Sequence, residues 1–286
     1  MAEAEIAFIG GSGLYDIDGL TDAGQVSIDT PFGPPSDALT VGTLEGRRVA
    51  FLARHGKGHR HLPTEIPYRA NIYALKLLGV ERIISISAVG SLQEGIAPLD
   101  MVVPDQIIDR TRGRVSTFFG DGVAAHVGFA DPFCPELRGD LVETARNGLI
   151  TVHDGGTYVV MEGPQFSTRA ESSLYRSWGA SIIGMTALPE AKLAREAEIC
   201  YATLALVTDY DVWHQSEAEV SVDLVVANLM QNVETTQSIL PDLAARTPAS
   251  RGCVCQSVLE RAIITSRDLI PDEAKLRLSA IIGPYL

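Results

Sequence analysis

Short apolar runs alternate with amphipathic segments along the chain. The apolar runs are continuous and rich in β-branched residues, which predicts strands that are buried on both faces. The segments between them carry apolar residues three and four positions apart, which predicts helices. The predicted strands cover residues 6–9, 48–53, 82–88, 101–103, 158–161, 181–183 and 200–207. The predicted helices cover residues 66–78, a segment that begins near Thr168, residues 189–198 and a long segment after Asp211.

The long segment after Asp211 has the clearest helical pattern. Its apolar residues fall at i, i+3, i+4, i+7, i+8 and i+11, which predicts one continuous stripe along a helix. These residues are Val222, Val225, Val226, Leu229, Met230 and Val233. Two other helices have start signals, because Thr168 and Glu171 fit a capping box and Pro189 suits a first helical position.

Buried strands separated by helices favour an α/β protein. We expect a single domain with a central, mixed but mostly parallel sheet that is flanked by helices on both faces. A length of 286 residues is compatible with one such domain. We interpret residues 1–245 as the domain and residues 246–286 as a helical C-terminal extension of it.

Composition and charge narrow the possible partners. A formal net charge of −13 argues against nucleic acid or an anionic membrane, because both bind through basic surfaces. No apolar run reaches the roughly 18 residues that a membrane-spanning helix needs. The start of the chain lacks the cationic segment of a signal peptide, and the chain contains four Cys. We therefore expect a cytoplasmic protein with reduced thiols.

Polar and glycine-rich segments follow several predicted strands, where parallel sheets bind their ligands. They are residues 10–13, 54–55, 87–91, 162–166, 185–186 and 209–211. Residues 10–13 form neither a dinucleotide-binding loop nor a Walker loop, because Asp16 stands where the third glycine would be and no Gly-Lys-Ser/Thr follows. Each segment alone is compatible with an ordinary turn. Together they predict one assembled site.

Several of these segments offer groups that suit an anion. Ser12, Ser87 and Thr186 have hydroxyl groups, Arg54 has a planar fork of donors, and His55 has an imidazole. We predict that they hold phosphate without a lysine or a metal ion. Two alternatives stay open. In the first, the hydroxyl residues cap helices. In the second, Arg54 is a solvated charge in a generally basic loop.

Two acids follow the last predicted strand. In an extended segment, Asp209 and Asp211 would point to the same side and Tyr210 to the other. Two neighbouring acceptors suit the amino group of a 6-aminopurine and a ring N–H that forms as the base leaves. A Mg²⁺ site and a simple Asx turn are the alternatives. Phe166 would offer an aromatic face to a planar ligand, and a core position is its alternative.

The segments resemble, in order, the family of methylthioadenosine phosphorylases and trimeric purine nucleoside phosphorylases. The similarity extends from about Ile6 to Leu240. It is carried by IGGSGLYD, FLARHGKGH, SAVGSL, EGPQFSTRAES, GMTALPEAKLAREAEICYA and TDYDVWH. The resemblance implies the single-domain nucleoside phosphorylase fold. It also implies phosphorolysis of S-methyl-5′-thioadenosine to adenine and 5-methylthioribose 1-phosphate, with inorganic phosphate as co-substrate and no cofactor or metal.

The resemblance assigns roles to particular residues. Asp209 is implied as the catalytic residue, which handles a proton at N7 of the purine. The implied phosphate site consists of Ser12, Arg54, His55, Ser87, the backbone at Ala88, and Thr186. The implied nucleoside site consists of Phe166, Met185, Asp209, Tyr210 and Asp211, and the implied specificity residues are Ser167, Val222, Val225 and Val226.

The resemblance also implies a homo-oligomer. We expect a trimer, and a hexamer stays open because the family contains both. The active sites would lie near subunit interfaces, with His126 and Phe129 lent by a neighbouring subunit. Cys253 and Cys255 form a C-x-C arrangement that some archaeal members close as a disulfide, and free thiols are the alternative.

Three other functions stay open. The first is a purine nucleoside phosphorylase that acts on adenosine or inosine. Such enzymes in the family carry a His where Val222 stands, whereas a valine suits a methylthio group better. The second is a nucleosidase, which would use water instead of phosphate. The third is a protein that binds nucleosides without catalysis.

Overall fold

A computed structural model describes residues 3–11, Leu14, 17–214 and 222–286, with the backbone alone at 222–225. Ser12 lies outside the described residues. The described strands are β1 Ile6–Gly10, β2 Thr21–Val26, β3 Leu39–Leu44, β4 Arg47–Ala53, β5 Arg82–Ser91, β6 Met101–Val103, β7 Gln106–Arg110, β8 Val152–Asp154, β9 Thr157–Met161, β10 Ile182–Gly184 and β11 Cys200–Asp209. The described α-helices are α1 Tyr68–Leu77, α2 Pro135–Asn147, α3 Arg169–Ser177, α4 Ala187–Glu196, α5 Val222–Arg246, α6 Asp272–Arg277 and α7 Ser279–Ile282.

These strands form one mixed sheet. Its main path has the order β2-β3-β4-β1-β5-β10-β9-β7, and β11 pairs with both β5 and β6. The pairs β1–β4, β1–β5, β5–β11, β9–β10, β7–β9 and β6–β8 are parallel. The pairs β2–β3, β3–β4, β5–β10 and β6–β11 are antiparallel. The predicted fold class, a mixed and mostly parallel sheet, is confirmed.

Helices cover both faces of the sheet. Along β1, Ile6 and Phe8 pack into one core cluster, whereas Ala7 and Ile9 pack into the other. Helices α1, α4, α6 and α7 contribute to the cluster of Ala7, and helices α2 and α5 to the cluster of Ile6. Because consecutive side chains of a strand point to opposite faces, a continuous apolar run fits a strand covered on both sides.

The C-terminal segment packs against the domain. Leu259, Ile270, Leu278 and Ile282 are buried within the same core cluster as α1 and α4. Besides α6 and α7, this segment contains short 3-10 helices at Val254–Ser257, Arg267–Leu269 and Gly283–Tyr285. Among the described residues, none of the helices combines the length and apolar character that a membrane crossing requires.

The predicted apolar stripe of α5 is only partly correct. Leu229 and Val233 pack against the core, as the prediction requires. Val226 and Met230, in contrast, are 47% and 65% exposed. Residues three and four positions apart are neighbours on a helix surface, so the two pairs form adjacent rows of one stripe. One row packs against the core, whereas the other row is exposed.

Candidate active site

The ends of β5 and β11 lie side by side at the centre of the predicted site. The two strands run parallel, and their pairing shifts near the end so that Asp209 lies opposite Gly90. A Cβ atom on Gly90 would stand 3.0 Å from Oδ1 of Asp209 and 3.4 Å from Cβ of Asp211. The absence of a side chain on Gly90 therefore leaves room for both acids.

A turn, and not an extended strand, brings the two acids together. Asp209 is the last residue of β11, whereas Asp211 has a positive φ of 53°. The backbone N–H of Asp211 donates to Oδ1 of Asp209 over 2.7 Å. The two acids therefore lie together as predicted, but through the Asx turn that was the alternative interpretation, and the predicted extended geometry is wrong.

Asp209 has the environment of a carboxyl group that holds a proton more firmly than usual. Burial raises its pKa, and the negative charge of Asp211 adds to this effect. Hydrogen bonds from the Thr208 hydroxyl, at 2.7 Å from Oδ2, and from the backbone N–H of Asp211 act in the opposite direction. A buried carboxyl group with a raised pKa suits general acid chemistry.

Asp211 is held by a serine of the turn after β9. Oγ of Ser167 lies 2.9 Å from each carboxylate oxygen of Asp211. Burial raises the pKa of Asp211, and the hydrogen bond from Ser167 opposes that effect. Ser167, a predicted specificity residue, therefore orients the carboxylate of Asp211. Among the described residues, the two acids belong to no group of three or more possible metal ligands.

Asparagines of α5 fix the end of β11. Nδ2 of Asn228 donates to the carbonyl oxygen of Thr208 over 2.6 Å, and Nδ2 of Asn232 donates to that of Val207 over 2.9 Å. On the other side, Nε1 of Trp213 donates to the carbonyl oxygen of Ser91 over 2.7 Å. The sequence pattern of α5 marked only its apolar residues, so it did not reveal this support.

Two of the predicted phosphate-binding hydroxyl groups lie within hydrogen-bond distance of each other. Oγ of Ser87 on β5 lies 3.2 Å from Oγ1 of Thr186, and both residues are buried. Thr186 stands directly before α4, yet its side chain makes no capping hydrogen bond. The alternative interpretation of Thr186 as a capping residue is therefore wrong. A pair of buried hydroxyl groups suits an anion, because each hydroxyl can donate a hydrogen bond to it.

The side chain of Arg54 lies in the core of the protein. Its side chain is 2% exposed, and Nε and Nη2 contact the carboxylate of Glu190 at 2.8 and 3.0 Å. The same guanidinium donates to the carbonyl oxygens of Ile86 and Ile9 and to Oγ of Ser85. A cation buried this deeply needs a paired anion and carbonyl acceptors. The alternative of a solvated charge in a basic loop is therefore wrong, and the contact of Arg54 with phosphate stays a prediction.

His55 is half-buried beside Arg54. Nδ1 of His55 lies 2.8 Å from the carbonyl oxygen of His61, and a carbonyl can only accept, so Nδ1 carries the proton. Burial lowers the pKa of His55 to about 4, and the positive charge of Arg54 contributes. At neutral pH the imidazole is therefore uncharged and Nε2 can accept a hydrogen bond.

The predicted nucleoside-contacting residues lie on two loops that one arginine joins. Phe166 is 48% exposed, so its alternative interpretation as a core residue is wrong. Sδ of Met185 would stand 2.5 Å from a Cβ atom on Gly163, which shows that the two loops touch. Arg114 donates to the carbonyl oxygens of Met185 and Glu162 over 2.7 and 2.6 Å. The sequence offered no signal for Arg114, because no motif contains it.

The remaining predicted residues are placed as follows. Ala88 is half-buried on β5, and the ring of Tyr210 stacks on His214 at a centroid distance of 4.6 Å. His126 is exposed, and Phe129 packs partly against the core of its own chain. The side chains of Val222 and Val225 lie outside the described residues, as does the whole of Ser12.

Comparison with known proteins decides the family. The model of the phosphorylase superfamily matches residues 5–245.

The chain belongs to the phosphorylase superfamily.

Relatives within this superfamily match over nearly the whole chain. The S-methyl-5′-thioadenosine phosphorylase of Koribacter versatilis is 57% identical over 99% of this chain and 97% of its own length. The enzyme of that name from Geobacter sulfurreducens is 57% identical over 99% of this chain and 100% of its own length.

Solved structures of the superfamily share the fold. A methylthioadenosine phosphorylase sourced from an antarctic soil metagenomic library superposes with a TM-score of 0.93, at 54% identity over 98% of this chain and 99% of its own. The methylthioadenosine phosphorylase from Schistosoma mansoni in complex with adenine has a TM-score of 0.86, at 36% identity over 91% of this chain and 99% of its own. These likenesses agree with the single-domain fold described above.

Proposed function

We propose that this phosphorylase superfamily member is an S-methyl-5′-thioadenosine phosphorylase. The observation that carries the proposal is the contact of two buried acids, Asp209 and Asp211, at the end of β11, beside the strand β5 that carries Ser87 of the buried hydroxyl pair. Phe166, which is exposed, directly precedes Ser167, which hydrogen-bonds Asp211. Acids, an aromatic face and hydroxyl donors suit an aminopurine at one end and phosphate at the other. Relatives at 57% identity over nearly their full lengths have this name.

In the proposed reaction, phosphate attacks C1′ of the ribosyl ring and the bond from C1′ to N9 of adenine breaks. The electron pair of that bond moves into the purine, where N7 becomes more basic. Asp209 donates its proton to N7, so that adenine leaves as a neutral base. The raised pKa of Asp209, caused first by burial, keeps the proton available at higher pH than an ordinary aspartate would.

The attacking phosphate is proposed to lie against the hydroxyl groups of Ser87 and Thr186. The two hydroxyls stand 3.2 Å apart, so both reach one oxygen or two neighbouring oxygens of the same ion. Neutral His55 accepts a hydrogen bond from the protonated oxygen of hydrogen phosphate through Nε2. Arg54 contributes by holding Glu190 and the strand ends in place. Inorganic phosphate is the co-substrate, and no cofactor takes part.

The 5′ end of the substrate is proposed to meet an apolar surface of α5. Val226 and Met230 form an apolar surface that this chain leaves uncovered, on the helix whose Asn228 supports β11. A methylthio group gains free energy on such a surface, whereas a 5′-hydroxyl leaves its hydrogen bonds unmade. This observation favours methylthioadenosine over adenosine and inosine, the substrates of the second candidate function, a purine nucleoside phosphorylase.

We further propose that the enzyme is a cytoplasmic homotrimer. The four cysteines are free, which suits a reducing compartment. Large apolar side chains such as Ile264, Leu269 and Leu276 are well exposed in the single chain, as expected of surfaces that another subunit covers. In such an assembly, His126 and Phe129 of one subunit would reach the site of its neighbour.

The decisive experiment measures adenine release from methylthioadenosine with and without inorganic phosphate. We expect release only with phosphate, accompanied by 5-methylthioribose 1-phosphate, and a higher kcat/KM than with adenosine or inosine. Release in phosphate-free buffer would instead identify a nucleosidase. Binding of methylthioadenosine without turnover under any condition would identify a non-catalytic nucleoside-binding protein and refute the proposal.

A further inference from the structure

A cluster of four cysteines lies away from the proposed active site. Cys134 stands directly before α2, Cys200 is the first residue of β11, and Cys253 and Cys255 belong to the C-terminal segment. Their sulfur atoms all lie within 4.8 Å of one another. All four are free thiols, and none is more than 8% exposed. The proposed phosphorolysis uses none of them.

We infer that these four cysteines form a structural zinc site. Zn²⁺ binds four cysteine sulfurs in a tetrahedron with Zn–S bonds of about 2.3 Å, which sets sulfur atoms about 3.8 Å apart. The observed sulfur atoms lie within 4.8 Å of one another, and Cys200 and Cys253 are 3.3 Å apart. Movements of about 1 Å or less therefore complete a tetrahedral ligand set. Soft thiolate ligands in this geometry select zinc over Mg²⁺ or Ca²⁺.

The charge of such a site is compatible with its burial. Each thiol releases its proton as it binds, so one Zn²⁺ and four thiolates carry a net charge of −2. Arg82 on β5 pairs in register with Cys200, and the charge of Arg195 acts on Cys255. Both arginines are buried. Cys134 also precedes the N-terminus of α2, whose partial positive charge favours a thiolate.

The zinc ion would join three parts of the chain that are distant in sequence. The C-x-C segment supplies two ligands, and the other two come from the start of α2 and the start of β11. The site would thus fix the C-terminal segment to the centre of the sheet. Sequence reasoning predicted no metal and considered Cys253 and Cys255 without Cys134 and Cys200, because only the fold brings the two pairs together.

The test uses the full-length protein purified in the presence of a reductant. We expect elemental analysis to find one zinc ion per chain, and strong chelation to remove it and lower the melting temperature. Cobalt added to the chelated protein should give the sulfur-to-metal absorption of a tetrahedral thiolate site. Added zinc should abolish that absorption and restore the melting temperature.

Variants locate the site. Cys253→Ser should lose most of the cobalt absorption and the response of its melting temperature to chelators. Cys255→Ser provides the same measurement if the first variant fails to fold. Val254→Ser is the matched control, because Val254 lies between the two ligands, is 72% exposed and offers no thiolate. It should bind cobalt as the unmodified protein does.

Two results would overturn the inference. One is a reduced protein that contains no zinc, takes up no cobalt and melts at the same temperature with and without a chelator. The other is a protein whose cysteines form disulfides in the cell and which binds no cobalt after reduction. Neither result depends on phosphorolysis, so the zinc site and the proposed enzymatic activity are tested separately.

Discussion

At the scale of single residues, two buried carboxyl groups determine what the site can do. Ser167 holds the carboxylate of Asp211, and Gly90 leaves room for both acids. The sequence pattern did not connect either residue with Asp209 and Asp211. The acids themselves were predictable, because acidic residues are unusual at the end of a buried strand. Their geometry was left open, since the sequence allowed both an extended segment and an Asx turn, and the structure has the Asx turn, with a positive φ at Asp211.

Replacement of Asp209 by alanine should reduce kcat for methylthioadenosine roughly 10²- to 10⁴-fold, because the leaving purine loses its proton donor. Steady-state kinetics with saturating phosphate measure the effect. Asp268→Ala, which removes an exposed aspartate of the C-terminal segment, serves as the control and should leave kcat unchanged. Turnover of Asp209→Ala at the rate of the unmodified enzyme would contradict the assignment.

The lowered pKa of His55 predicts a pH dependence of stability. In the folded protein this pKa is about 4, below the ordinary value of 6.5, so the unfolded chain binds the proton first as the pH falls. The contribution of neutral His55 is therefore fully present above about pH 6.5 and is lost progressively towards pH 4. The free energy of unfolding in urea should fall across this window.

His55→Asn should fall less steeply across the same window, since asparagine does not titrate. His126→Asn, at an exposed histidine, should keep the slope of the unmodified protein. Identical slopes for all three proteins would show that His55 does not cause the dependence.

At the scale of elements, apolar continuity was a good guide to the central strands and a poor guide to the outer ones. β6 was predicted with its observed bounds, and β1, β4 and β11 to within two residues. β2, β3, β7 and β8 were missed, because their sequences TDAGQV, LTVGTL, QIIDR and VHD mix polar and apolar residues. The exposed side of an outer strand has no need of apolar residues, so its sequence carries a weaker signal.

Capping chemistry predicted a helix start well. The expected capping box between Thr168 and Glu171 is present, with the threonine side chain accepting from the backbone N–H of Glu171. α4 is less regular, because Leu188 has non-helical backbone angles just before Pro189. α2 was not predicted from the sequence, and its position beside β11 places Cys134 near Cys200.

The ion pair of Arg54 and Glu190 connects the end of β4 with α4. Glu190→Gln leaves an uncompensated cation in the core, so it should lower the free energy of unfolding by about 3–5 kcal/mol. Asp154→Asn is the matched control: it breaks the pair of Arg138 and Asp154, whose carboxylate is 48% exposed, and should cost at most about 1 kcal/mol. Urea titrations measure both.

The double variant Arg54→Met/Glu190→Leu shows whether the unpaired charge of Arg54 causes the lower free energy of unfolding. If the buried charge is responsible, the double variant should be more stable than Glu190→Gln, because it leaves no charge unpaired. Equal losses in Glu190→Gln and Asp154→Asn would instead show that the buried pair has no special role.

At the scale of the whole molecule, the exposed apolar surfaces of the single chain predict that several copies of the chain associate. Light scattering after size-exclusion chromatography should give a mass three times that of one chain. This mass should not change on dilution through the range of protein concentrations used for kinetics. A mass of six chains would indicate a hexamer, in which His126 and Phe129 of one subunit would still reach the site of its neighbour. A fully active monomer would exclude any role for the His126 and Phe129 of another subunit.

The parallel pairing of β5 and β11 also sets a fixed length within the site. Ser87, which is proposed to contact phosphate, and Gly90, opposite Asp209, are three residues apart on one strand, which corresponds to about 10 Å. A strand in the middle of a sheet barely stretches, so we expect the proposed phosphate end and base end to be equally far apart for every ligand. Changes of substrate, whether by natural divergence or by engineering, should therefore accumulate in α5 and in the turn around Phe166, where the walls of the site are adjustable.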